Sequence, residues 1–188
     1  MTKPFIVEVK QFQLPEEGVH QAAPTGLYAL GTQTSDLYGS YKKILITYEL
    51  LDDPMDSGEP FTISKIYTRS FSPKSTLHND MAKILGLKEL GGKVDISAIL
   101  GKNCLIHVER TEVNGKHRTQ IKGVMPLDKR TPAREPINKP ILFDFDGEIP
   151  ADCPAWIKKI IQASPEWKDL ETNGPALVEF EEQEVEAL

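Results

Sequence analysis

Lys65, Tyr67 and Arg69 occupy alternate positions in the run FTISKIYTRSF, which is rich in β-branched and aromatic residues. In an extended strand they share one face. A cation, an aromatic ring and a second cation in a row suit a polyanion that carries flat rings. The charges meet phosphates, and a phenol stacks on a base for about 1–3 kcal/mol. Neighbouring segments supply the same residue types. Tyr38, Tyr41, Lys42, Lys43 and Tyr48 come before the run, and Arg110, Lys116, His117, Arg118 and Lys122 after it. Each also has a plainer role. Tyr48 shares a side with Ile44 and Ile46, which predicts a core position. Phe71 suits a place beneath a helix, and cations near a hairpin often form only a solvated face.

A second constellation points to different chemistry. ILFDFDGE is an apolar strand ending in Asp144-Phe145-Asp146-Gly147. It resembles the first motif of haloacid-dehalogenase-type phosphatases. There the first aspartate is the nucleophile and the second the acid/base, with a magnesium ion between them. Position argues against that reading. Only 42 residues follow Asp146, too few for the α/β domain such a motif opens, and Glu148 stands where a hydroxyl residue is expected. An extended acidic segment laid against the rest of the protein is the simpler expectation. Asp144, Asp146 and Glu148 as a weak divalent-cation site is the alternative.

Other catalytic signals are sparse. His20, His78, His107 and His117 show no metal-binding spacing. Gly91-Gly92 lacks a phosphate-loop context, and no GxSxG is present. Cys104 and Cys153 fit no zinc pattern and predict reduced thiols in a cytoplasmic setting. No cofactor and no catalytic residue are expected.

The elements that must position these residues read as mainly β. Residues 1–25 form an arm or entry strand and a loop around Pro15 and Pro24. LYALGTQTS opens the first strand, with Gly31 marking a bulge or sharp bend. KKILITYEL alternates as the second strand, and FTISKIYTRSF is the third. Ser72-Pro73 predicts a helix start, Leu77, Met81, Ile84 and Leu85 supply its apolar face, and Gly86 its end. A short second helix is expected over residues 95–100. NCLIHVERTEV and KHRTQIKGVMPL are strands four and five, joined at Asn114-Gly115, a type I′ turn signal. Three strands, a helix and a hairpin make the order of a five-stranded oligonucleotide-binding (OB-type, β-β-β-α-β-β) barrel over residues 26–127. A proline-rich strap and short helices follow over residues 128–170, with an acidic tail at 171–188.

Charge is unevenly divided. The chain carries −6 overall, but residues 143–188 hold 12 acidic and 3 basic side chains, leaving the rest at +3. The body can therefore meet a polyanion despite the acidic total. From Asp169 onward there are seven acidic residues and no Lys or Arg. Phe180, Glu181, Glu182, Glu184, Glu186 and Leu188 are the candidate partner-docking residues of that tail. It either competes for a basic groove, recruits a partner or is inert. No apolar run approaches the roughly 20 residues of a membrane span, and no secretory leader is evident.

LGTQTS, YGSYKK, PFTISKIYTRSF with Lys74 and Leu77, ILGKNCLIHVERTEVNGK, IKGVMPL and PAWIKKIIQASPEWK occur in this order. Together they resemble a family of bacteriophage and prophage replication-initiation and single-stranded-DNA-binding proteins, over most of residues 24–168. Gly31, Thr32 and Gln33, and Ser64, Lys65, Tyr67 and Thr68, match the family's pattern. Ile84-Leu85 departs from it where an aromatic–basic pair is frequent, and the acidic tail is longer. The resemblance implies a role in phage DNA replication or recombination in the bacterial cytoplasm.

The leading expectation is non-enzymatic binding of single-stranded DNA with low sequence specificity. Tyr41, Lys42, Lys43, Lys65, Tyr67, Arg69, Arg110, Lys116, His117, Arg118 and Lys122 are the contacts. Phage or host replication and recombination proteins are further candidate partners. An adaptor module of a phage replication complex is the alternative, and a magnesium-dependent hydrolase using Asp144 and Asp146 the third reading. An exposed edge strand or the N-terminal arm offers a surface for a homodimer.

Overall fold

A computed structural model describes residues 13–37 and 39–173. The first strand, β1 (Gly18–Ser35), is the spine of the molecule. It pairs with β2 (Gly39–Pro54), and β2 with β3 (Pro60–Thr68), all antiparallel. Helix α1 (Thr76–Ile84) and a 3-10 turn (Ile96–Ile99) lead to β4 (Cys104–Val113) and β5 (Lys116–Pro126). β4 pairs antiparallel with the first part of β1 and with β5. A short β6 (Ile141–Phe143) runs parallel to β1 at Gly26–Tyr28. The result is an open six-stranded, mostly antiparallel sheet, order β3-β2-β1-β4-β5, with β6 added to β1. Helices α2 (Ala155–Ala163) and α3 (Pro165–Asn173) complete the described chain. None of the described helices is long and apolar enough to cross a membrane.

β1 starts earlier than its sequence suggests, because residues 18–25, expected as a loop, are already strand. Pro24 is tolerated because the ladder to β2 shifts register between Pro24 and Gly26. A residue with no N–H fits where the ladder is interrupted. The second shift, between Ala29 and Gly31, is the bend that Gly31 signals.

Helix α1 also starts later than expected. Its cap is Ser75, whose Oγ accepts from His78 N, and not Ser72, whose carbonyl instead accepts from Ser75 N. Gly86 follows the helix at φ +68, and Asn114-Gly115 turn at φ +53 and +72, as type I′ demands.

The sheet buries both faces. Ile44, Ile46, Tyr48 and Leu50 of β2 face the main core with Phe61, Ile63, Leu77, Met81, Ile106 and Val124. On the opposite, outer face, Tyr28, Leu30 and Leu45 pack with Phe143, Ile157 and Ile161. Ile157 and Ile161 are fully buried, worth about 1.5–3 kcal/mol each. Residues between Ile141 and Ile161 therefore pack over Tyr28 and Leu30 of β1 and Leu45 of β2. The strap before β6 is held by polar contacts. Both carboxylate oxygens of Glu49, itself buried, accept from Ile137 N and Asn138 N at 2.6 and 2.8 Å. Pro132 O accepts from Gln21 Nε2.

Candidate functional site

The row chosen from sequence divides once the strand is folded. Phe61, Ile63, Lys65 and Tyr67 share the face of β3 turned toward α1 and the core. Tyr67 is only 3% exposed, and its hydroxyl lies 2.9 Å from that of Tyr48 and donates to Asp80 Oδ2 at 3.1 Å. Burial raises both phenol pKa values well above the ordinary range. Lys65 Nζ donates to the same oxygen at 2.7 Å and lies 5.0 Å from the Tyr67 ring centroid. Lys65, Tyr67 and Asp80 thus tie β3 to α1. Tyr67 offers no open ring face for a base, which corrects the sequence expectation. A buried phenol and an ammonium need a shared acceptor, and Asp80 supplies it.

Arg69 lies beyond the end of β3 and turns to the C-terminal layer. Its two terminal nitrogens donate to Asp144 Oδ1 and Oδ2 at 2.6 and 2.8 Å. Donating these hydrogen bonds to Asp144 raises the guanidinium's pKa further. Both oxygens of the sequence-predicted nucleophile are therefore engaged by a cation. Among the described residues, no three His, Cys, Asp or Glu side chains are grouped to hold a metal ion.

The hairpin cations also separate into tied and exposed groups. Arg110 donates to the carbonyls of Leu14 and Pro15, fastening the segment ahead of β1. Lys122 pairs with Glu109 at 3.2 Å. Lys116, His117 and Arg118 are exposed, beside Leu14 at a recess of about 490 Å³. Phe180, Glu181, Glu182, Glu184, Glu186 and Leu188 lie outside the described residues.

The end of the β1–β2 hairpin is also open. A groove of about 350 Å³ is lined by Gln33, Thr34, Ser35, Tyr41, Lys43 and Thr68, with Gly39. Tyr41 is 49% exposed. Lys43 Nζ lies 5.5 Å from its ring centroid and donates to Thr68 Oγ1 at 2.7 Å. Thr34 Oγ1 and Ser40 Oγ are 2.8 Å apart on the adjoining strands. Lys42 is exposed on the next position of β2. An aromatic face, an ammonium, hydroxyls and an amide meet here, and among the described residues no carboxylate lines the groove. The arrangement accommodates an anion beside a flat ring.

Gln33, Thr34, Ser35 and Thr68 were not singled out as contacts from sequence. Their signal was present in the register, since Gln33 lies opposite Tyr41 and Thr68 opposite Lys43.

The groove's back wall is fixed by the C-terminal helices. Glu166 accepts from Thr32 N at 2.8 Å and from Thr32 Oγ1 at 2.6 Å. Burial works against its charge, but the two Thr32 hydrogen bonds outweigh this and hold its pKa below the usual carboxylate value. Ser164 precedes α3, and its Oγ accepts from Trp167 N. Gly31, at φ +69, lies under this corner, where an added Cβ would fall 2.6 Å from Ser164 Cβ.

Comparison with protein-family models and with curated proteins returns no match for this chain.

Proposed function

We propose that this protein binds single-stranded DNA with little sequence preference, and that the Tyr41–Lys43 groove anchors the strand. The observation that carries this reading is the pairing of a half-exposed tyrosine with an ammonium 5.5 Å from its ring, in a groove that no carboxylate of the described residues lines. A base stacked on Tyr41 brings its phosphate within reach of Lys43, and hydroxyls and the Gln33 amide provide sequence-tolerant hydrogen bonds.

The strand order supports an OB-type barrel as the scaffold. β3 and β5 are joined by no ladder, yet they approach within 8 Å between Cα atoms, with α1 against both. On this reading they are the seam of the barrel. The resemblance to phage and prophage replication proteins supplies the setting, DNA replication or recombination in a bacterial cell. The chain acts there as a binding protein and not as an enzyme, and its acidic C-terminal tail recruits phage or host replication proteins.

A fluorescence titration with labelled oligo-dT at low and at higher salt tests the reading. Binding should be salt-sensitive, since each neutralised phosphate releases counterions. No binding at low salt would remove the proposal and leave the adaptor role in its place.

A further inference from the structure

A second, larger groove opens on the outer face of the sheet. Its volume is about 710 Å³, and Thr25, Thr47 and Thr62 from three adjacent strands contribute to its lining. Strap residues Lys139 and Pro140, Leu142 of β6, and Pro150 and Asp152 beyond β6 also line it. Lys139 is exposed and has no ion-pair partner among the described residues.

The two grooves share one face. The β2–β3 ladder runs without a register shift from Lys43↔Thr68 to Glu49↔Thr62. Lys43 and Thr47 therefore point the same way, as do Thr68 and Thr62. Thr68 lines the first groove and Thr62 the second, about 20 Å apart at ~3.3 Å per residue. Between them Ser64 is partly exposed and Ile66 is 52% exposed, so the row is left open where the C-terminal layer stops.

We propose that the two grooves are the ends of one track, and that the strap-lined groove is a second nucleotide subsite for the same DNA strand. Lys139 meets a backbone phosphate there, and the exposed Thr62 with the flat proline and leucine surfaces receives the base. The inference rests on the reading of the first groove. A track of about 20 Å passes several nucleotides, inside the ~4–16 that one such barrel covers. Asp152 shares the groove with Lys139, and its charge opposes a phosphate. The two side chains therefore have effects of opposite sign.

The test compares labelled oligo-dT of about two and about twelve nucleotides, titrated against the whole chain at several salt concentrations. Wild type should bind the longer strand far more tightly. Lys139→Ala should weaken only the longer strand and lower its salt slope by about one. Asp152→Asn should strengthen the longer strand. Thr62→Trp, which fills the groove from an exposed position, should bring the longer strand down to the affinity of the short one. Wild-type affinity for the longer strand in Lys139→Ala and Thr62→Trp, while Tyr41→Ala still weakens both strands, would overturn the second subsite and leave the first intact. Failure of wild type to bind either strand would overturn both.

Discussion

Arg69 and Asp144 hold each other through two hydrogen bonds, 2.6 and 2.8 Å long, across 75 residues of sequence. Each belonged to a separate chemical reading of the sequence, one as a phosphate contact and the other as a nucleophile. Folded, they neutralise one another and pin the segment after β6 to the end of β3. The pair is partly exposed, so its contribution to stability is small, about 1 kcal/mol or less.

That pairing predicts a gain of binding. Asp144→Asn should free Arg69 for phosphate, tighten oligo-dT at low salt and steepen the salt dependence by about one. Its urea midpoint should stay close to wild type. Weaker binding in this variant would show that Asp144 supports the interface by another route.

The Lys65–Asp80–Tyr67 cluster predicts a stability effect in place of a binding effect. Asp80→Ala strands an ammonium that is 18% exposed and a buried phenol, so about 3 kcal/mol should be lost in urea unfolding. Tyr67→Phe, which keeps the ring, should cost about 1 kcal/mol. An unshifted midpoint in both would mean the cluster does not hold α1 against β3.

The sequence places Lys65 and Tyr67 on one strand and misreads which of its sides is buried. Thr62, Ser64 and Thr68 against Phe61, Ile63 and Tyr67 is a polar–apolar alternation, disturbed by Lys65 on the apolar side and by Ile66 on the polar side. A cation within a core row looks like a surface row until Asp80 arrives from α1. The strand order, the Asn114-Gly115 turn and the Gly31 bend depend on local backbone requirements and could be read directly. The start of β1 could not, because Pro24 looks like a strand breaker until the register shift beside it is known. The first groove was half readable: Tyr41, Lys42 and Lys43 stand together in sequence, but Thr68 joins them only through the β2–β3 register.

Glu166 on Thr32 predicts a pH-dependent clamp. The folded pKa of Glu166 is lowered. Its contribution is therefore fully present above the ordinary glutamate value of about 4.3 and is lost as pH falls through the lower folded value. Glu166→Gln should cost about 1–2 kcal/mol at neutral pH and flatten the acid limb of the stability profile. Identical profiles for the variant and wild type from neutral pH down through pH ~4.3 would remove the clamp.

Gly31→Ala should loosen the same corner. The left-handed φ and the 2.6 Å approach to Ser164 Cβ leave no room for a methyl group. A loss of about 2–3 kcal/mol is expected, read by urea unfolding followed through tryptophan fluorescence. A variant as stable as wild type would show that α3 can shift without cost.

The most direct test of the account is the affinity of Tyr41→Ala, Lys43→Ala and the double variant for labelled oligo-dT, measured with wild type at two salt concentrations. The account predicts a loss of about 1–3 kcal/mol for Tyr41→Ala at both salts. It predicts a salt slope reduced by about one for Lys43→Ala, and unfolding midpoints near wild type throughout. Wild-type affinity and wild-type salt slope in the double variant would contradict it.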